Sequence, residues 1–140
     1  MNSSESKYAE CLYFTTNALA RKVEKLAIKS WKPVNLSPSH AYLLMLVIEQ
    51  PGIQPGFISD HLQLTPSTVT RLIEKLEERK LLIRTSSGKI SNVYPTPRAK
   101  QAVPQLNNCV KHFINACNKY MIKADCKMME QMHGIIKKLN

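Results

Sequence analysis

The stretch PGFISDHLQLTPSTVTRLIEKL, Pro55 to Leu76, leaves little freedom in how it can fold. Pro66 has a fixed φ and no N–H, so within a helix it belongs to the first turn, and Thr65 before it is an N-cap type. Beyond it Val69, Leu72, Ile73 and Leu76 recur at i, i+3, i+4 and i+7, the spacing of one helical face. Ile58 and Leu62 give the preceding segment a matching face, and Leu64 is the apolar residue of a tight turn between the two. The pattern predicts a helix-turn-helix. The outer face of its second helix is Ser67, Thr68, Thr70, Arg71, Glu74 and Lys75. Short hydroxyl side chains let a backbone approach a major groove closely, and an arginine can fork onto a guanine edge.

Charge points the same way. The chain has 140 residues and a formal charge of +10, a balance that favours a polyanionic partner through counterion release. With a helix-turn-helix present, that partner is double-stranded DNA. The length suits one domain, or one domain with dimerisation arms, and only four glycines favour helix over a loop-rich fold. No run approaches the ~18 apolar residues of a membrane span, and the polar start MNSSESKYAE lacks a secretory apolar region, so a cytoplasmic protein is expected, with no membrane partner. Cys11, Cys109, Cys117 and Cys126 show neither CxxC nor paired-histidine spacing, so no metal and no cofactor is expected, and in a reducing compartment they stay free thiols. Asp60 and His61 adjoin, yet no nucleophile elbow, phosphate loop or metal motif accompanies them, which argues against an enzyme.

The flanks read as helices. About Ser4 to Ser30 forms one long helix with Tyr8, Leu12, Leu19, Val23 and Leu26 as its stripe, ended by Trp31-Lys32-Pro33. LSPSHAYLLMLVIEQPG is a second helix, capped by Ser37 or Ser39, apolar round much of its circumference and therefore central, and stopped by Pro51 and Gly52. After the helix-turn-helix, Leu82-Ile83-Arg84 and Ser91-Asn92-Val93-Tyr94 read as short strands about a Ser86–Lys89 turn that Gly88 makes feasible. A hairpin there is a wing, on which Arg84 and Lys89 place positive charge. Thr96 and Pro97 open a helix carrying Val103, Leu106, Val110, Phe113, Ile114, Cys117 and Met121, with Pro104 interrupting it early. A last helix from about Asp125 carries Met128, Met132, Ile135, Ile136 and Leu139; its methionines read as packing. The end helices lack neighbours within one chain, so the expected class is mainly α, a winged helix-turn-helix with long terminal helices forming a dimer: residues 1–34 and 99–140 for dimerisation, 35–98 for DNA.

In that order of elements the sequence resembles the MarR family of transcription regulators. The resemblance rests on LSPSHAYLLMLVIEQPG, ISDHLQLTPSTVTRLIEKLEERKLLIR and the TPRA segment, of which STVTRLIEKLEERKLLIR is the most specific. Lys80 stands where relatives have glycine, Pro95 and Ala99 replace the leucine and glycine that close the wing, and the wing is shorter and lacks the family's acidic-arginine motif. The resemblance implies a homodimer whose recognition helices enter successive major grooves of a pseudo-palindromic operator. On this chain Arg71 is assigned to base reading, Ser67, Thr68 and Thr70 to bases or phosphates, and Lys75 and Lys89 to phosphates, with Ser39 and His40 near the backbone. It also implies a signal that releases DNA, either a small aromatic ligand or an organic hydroperoxide. Cys11, in ECLYFTT, matches the place of a sensing cysteine, with Tyr8, Tyr13 and Tyr42 as candidate partners of its thiolate. Tyr13, Trp31, Tyr42 and Met45 are candidate lining of a ligand pocket. The rival reading is a winged-helix protein-interaction module, an anti-repressor with weak or no DNA binding.

Overall fold

A computed structural model describes residues 6–120 and 125–139. Met121 and the side chain of Cys126 lie outside them. Helix α1 spans Leu12–Trp31 and passes through a 3-10 turn, Lys32–Val34, into α2, Pro38–Glu49. Helices α3, Pro55–Leu62, and α4, Pro66–Glu78, form the helix-turn-helix. Strands β1, Leu82–Ser87, and β2, Ile90–Pro95, pair antiparallel as the wing, followed by α5, Pro97–Gln101, α6, Val103–Asn118, and α7, Asp125–Lys138.

The caps set these boundaries. Ser37 Oγ accepts the His40 N–H at 3.2 Å, so Ser37 rather than Ser39 is the cap of α2, with Pro38 in the first turn. Helix α2 is the centre, as its apolar circumference requires: Ala41, Leu43, Leu44 and Val47 are fully buried, and α1, α3, α4, α5, α6 and β2 all pack on it. The α4 stripe Val69, Leu72, Ile73 and Leu76 is buried against α2 and α3. In the turn between α3 and α4, Gln63 takes φ +54°, and the buried Ser59 hydroxyl donates to the Leu64 carbonyl at 2.7 Å.

Three boundaries differ from expectation. Residues 7–10 form turns rather than helix: Ser6 Oγ accepts the Tyr8 N–H, and Cys11 is the extended N-cap of α1. In keeping with the shortage of neighbours expected for the end helices, the stripe of α1 is packed only at its C-terminal end, where Ala27, Ser30 and Trp31 are buried, and Leu12, Leu19 and Val23 are exposed in the single chain. The wing strands are longer than their apolar residues suggest, because Gly88 at φ +62° turns the chain within two residues, Gly88-Lys89, and the polar Thr85–Ser87 pair across to Ile90–Asn92. The early break in the C-terminal helix falls at Ala102, with Pro104 in the first turn of α6.

Candidate nucleic-acid interface

Helix α4 presents its N-terminus to solvent. Thr65 caps it, its Oγ1 accepting from the Thr68 N–H at 3.3 Å and bonding the Thr68 hydroxyl at 2.9 Å. Thr68 is half-buried, so its hydroxyl is committed to the cap. The Thr70 hydroxyl donates to the Pro66 carbonyl at 3.0 Å, which leaves the hydroxyl oxygen free to accept. Ser67, Thr70, Arg71, Glu74 and Lys75 are exposed. At ~100° per residue, Ser67, Arg71, Glu74 and Glu78 point most directly away from the buried stripe. Arg71 has no carboxylate partner among the described residues, whereas Lys75 lies 3.8 Å from Glu78, an exposed and weak pair. With Pro66 lacking an N–H and the Thr68 and Val69 N–H groups bonded to Thr65, the open N–H of the first turn is that of Ser67, which with the helix dipole makes this end attractive to anions.

The far half of α4 adjoins the start of α2. Burial, then the nearby charges of Arg79 and Lys75, holds the His40 imidazole below its ordinary range. His40, Lys75 and Arg79 therefore share one field, with exposed Ser39 beside them. Arg79, which the sequence reading passed over, donates to the Asn35 carbonyl and closes α4 against the loop before α2. Lys80 then takes φ +59°; its N–H bonds the Glu77 carbonyl and the Leu81 N–H bonds the Leu76 carbonyl. This is a Schellman ending in which lysine fills the left-handed position that glycine suits better. The Lys80 carbonyl accepts the Thr96 hydroxyl at 2.8 Å, and the Thr96 N–H donates to Leu81, so the base of the wing is tied to the end of α4. Lys89 sits exposed at the wing tip. Arg84 does not add free charge there: its Nη2 lies 2.7 Å from Glu77 Oε1.

The segment 34–89, from the loop before α2 to the wing tip, matches the model of the MarR family. Over that segment, 56 of 140 residues, the chain is similar to the MarR family of transcription regulators. No curated protein matches it in sequence. Solved MarR-type structures share its fold. A MarR-family regulator from Listeria monocytogenes complexed with 26mer DNA is 20% identical, with TM-score 0.72 over 92% of this chain and 88% of that one. MepR of S. aureus, in a DNA complex, is 16% identical, TM-score 0.76, over 91% and 98%. The repressor CouR, bound to p-coumaroyl-CoA, is 18% identical, TM-score 0.80, over 97% and 98%.

The sensor residues expected of a MarR protein do not meet within one chain. Cys11, half-buried, and Tyr13, 68% exposed, stand at the start of α1, while Trp31 and Tyr42 pack edge to face at 5.2 Å near its other end. The helix between them is about 30 Å long, so Tyr42 cannot reach the Cys11 thiol in the same chain. Tyr8, Tyr13 and Phe14 form an aromatic cluster close to Cys11 in sequence. Tyr42 instead faces Cys117, and burial, then that thiol, raises its phenol above the usual value. Trp31 is fully buried and its Nε1 has no hydrogen-bond partner, so it is a core residue here; Met45 is half-buried. A cavity of about 220 Å³ between the end of α1 and α6 is lined by Lys29, Ser30, Cys109 and His112 among others, and one of about 160 Å³ by Arg79 and Arg98 over apolar walls. Neither is lined by Tyr13, Trp31, Tyr42 or Met45. Among the described residues no helix is long and apolar enough to cross a membrane, and no group of three or more His, Cys, Asp or Glu is placed to hold a metal.

Proposed function

We propose that the chain regulates transcription as a homodimer that binds a pseudo-palindromic operator through α4, with Arg71 reading a base, Ser67 and Thr70 contacting bases or phosphates, and Lys75, Lys89, Ser39 and His40 contacting the backbone. Thr68 acts through the cap, ordering the helix start. The observation that carries this is the free, outward Arg71 beside an accessible α4 N-terminus in a chain of charge +10. The terminal helices, residues 1–34 and 99–140, supply the dimer: in the single chain Leu12, Phe14, Leu19, Val23 and Ile28 of α1, Ile135 and Ile136 of α7, and Leu139 just beyond it are exposed, an apolar surface of the kind a partner covers. A small aromatic ligand or an organic hydroperoxide releases the DNA, the second through Cys11. The small-ligand reading is supported by CouR, a repressor similar in fold that is bound to p-coumaroyl-CoA.

The test is selection from random-sequence DNA by the full-length protein, followed by titration against salt. Wild type binds an enriched sequence with a steep salt dependence. Lys75→Ala lowers the slope by ~0.9 per protomer and weakens all sequences alike, whereas Arg71→Ala relaxes preference at one position of each half-site. Absence of salt-sensitive binding by the wild type favours the protein-interaction reading instead.

A further inference from the structure

We infer that Glu77 sets the pitch of the wing against α4, holding Arg84 as a strut and thereby keeping that arginine off the DNA. This rests on the DNA-binding reading for its consequence, though not for its geometry. Arg84 lies two residues beyond Leu82 on β1, on the same face of the strand, and opposite Val93. Leu82 and Val93 are buried, so this is the face turned to the body of the protein. Glu77 stands on the last turn of α4, and both side chains are about one-third exposed, at 29% and 34%. Their 2.7 Å contact is a charge-assisted hydrogen bond, partly shielded from water.

The strut matters because little else holds the outer wing. Its base is fixed by Thr96, by the Val93 N–H to the Ile53 carbonyl, and by the Gly52 N–H to the Val93 carbonyl at 2.7 Å. From Ile83 to Ile90 every residue is exposed. Apart from the β1–β2 ladder itself, the Glu77 pair is, among the described residues, the one hydrogen-bonded or ionic tie from that span to the body of the protein outside the wing. A two-stranded ribbon has no stable pose of its own. With Arg84 occupied, the free cation of the wing is Lys89, flanked by the hydroxyls of Ser86 and Ser87. The wing therefore adds phosphate contact without base reading, and specificity stays with α4.

The experiment compares Glu77→Gln, Arg84→Met, the double variant and Lys89→Ala in the full-length protein, on DNA selected by the wild type. Glu77→Gln removes a negative charge, which by charge alone tightens DNA binding; the strut predicts the opposite, about fivefold weaker. Arg84→Met weakens binding by a similar factor with the salt slope unchanged, and the double variant is no worse than either single. Lys89→Ala lowers the slope by ~0.9 per protomer. Amide hydrogen exchange without DNA gives an independent reading: residues 84–92 exchange faster in Glu77→Gln and Arg84→Met, and not in Lys89→Ala. A slope that falls by ~0.9 in Arg84→Met, tighter binding by Glu77→Gln, or unchanged exchange in both strut variants overturns the inference. If the wild type binds no DNA, the functional reading fails, while the exchange measurement still decides whether the strut exists.

Discussion

Thr65 offers a way to separate folding of the recognition helix from its use. Its hydroxyl accepts the Thr68 N–H at 3.3 Å and bonds the Thr68 hydroxyl at 2.9 Å. Replacing an N-cap threonine by alanine costs roughly 0.5–2 kcal/mol. The backbone bond is long, but the half-buried Thr68 hydroxyl loses its partner too, which places Thr65→Ala near 1 kcal/mol, or about 3–4 °C in Tm for a chain of this size. Thr65→Ser keeps the oxygen and stays close to wild type. Thr65→Asp caps at least as well and adds a favourable interaction with the helix dipole, so its Tm equals or exceeds that of wild type. Binding moves the other way. A carboxylate about 6 Å from a phosphate, in an effective dielectric of ~60, costs about 1 kcal/mol per protomer. Two protomers give about 2 kcal/mol, or roughly thirtyfold weaker binding. Thermal unfolding at fixed protein concentration, with fluorescence anisotropy on selected DNA at fixed salt, reads both quantities. A Thr65→Asp protein that is stable and binds as tightly as wild type refutes the orientation of α4 toward DNA; one that is destabilised refutes the capping geometry.

Other expectations follow from single observations. Lys80 occupies the left-handed region at φ +59°, so Lys80→Gly relieves ~1–2 kcal/mol of strain against a smaller entropy loss and raises stability by about 0.5–1 kcal/mol in chemical denaturation; a destabilised variant contradicts the Schellman ending. Gly52, at φ +88°, has the Tyr94 hydroxyl 3.2 Å from where a Cβ would stand, so Gly52→Ala costs about 1–2 kcal/mol, and a neutral result counts against the α2–β2 packing. Because burial, Arg79 and Lys75 depress the His40 pKa below 6.5, the folded state resists protonating it; stability is full above pH 6.5 and declines as pH falls below it. His40→Gln flattens Tm against pH in that window, and an unchanged slope refutes the assignment. An organic hydroperoxide releases DNA from wild type and not from Cys11→Ser; equal release from both removes Cys11 as the sensor.

The helix-turn-helix was legible because several independent signals agree there. Thr65 and Pro66 mark a start, Val69 to Leu76 mark a face, and all four stripe residues are buried. Ser37 and Thr96 announced helix starts by the same chemistry. What escaped depends on contacts distant in sequence. Glu77 and Arg84 are only seven residues apart, yet they meet through the chain reversal at Lys80, which neither helical nor strand periodicity expresses, so Arg84 read as free charge. Arg79 pairs with a carbonyl forty-four residues away, a relation that periodicity cannot express. The stripe of α1 was legible as apolar, and so was its shortage of neighbours within one chain; that its C-terminal end alone is covered was not. The aromatic residues assigned to one sensor site lie at opposite ends of that helix, because spacing along a sequence does not give distance along a rod.

In the proposed complex two α4 helices, joined by the terminal helices, face one duplex. A protection footprint on selected DNA, combined with guanine methylation interference, tests it most directly. Two protected patches related by two-fold symmetry are expected, with centres about 10–10.5 base pairs apart, each holding a guanine whose methylation blocks wild-type binding but not what remains in Arg71→Ala. A single unsymmetrical patch, or an interference pattern that Arg71→Ala leaves intact, contradicts it.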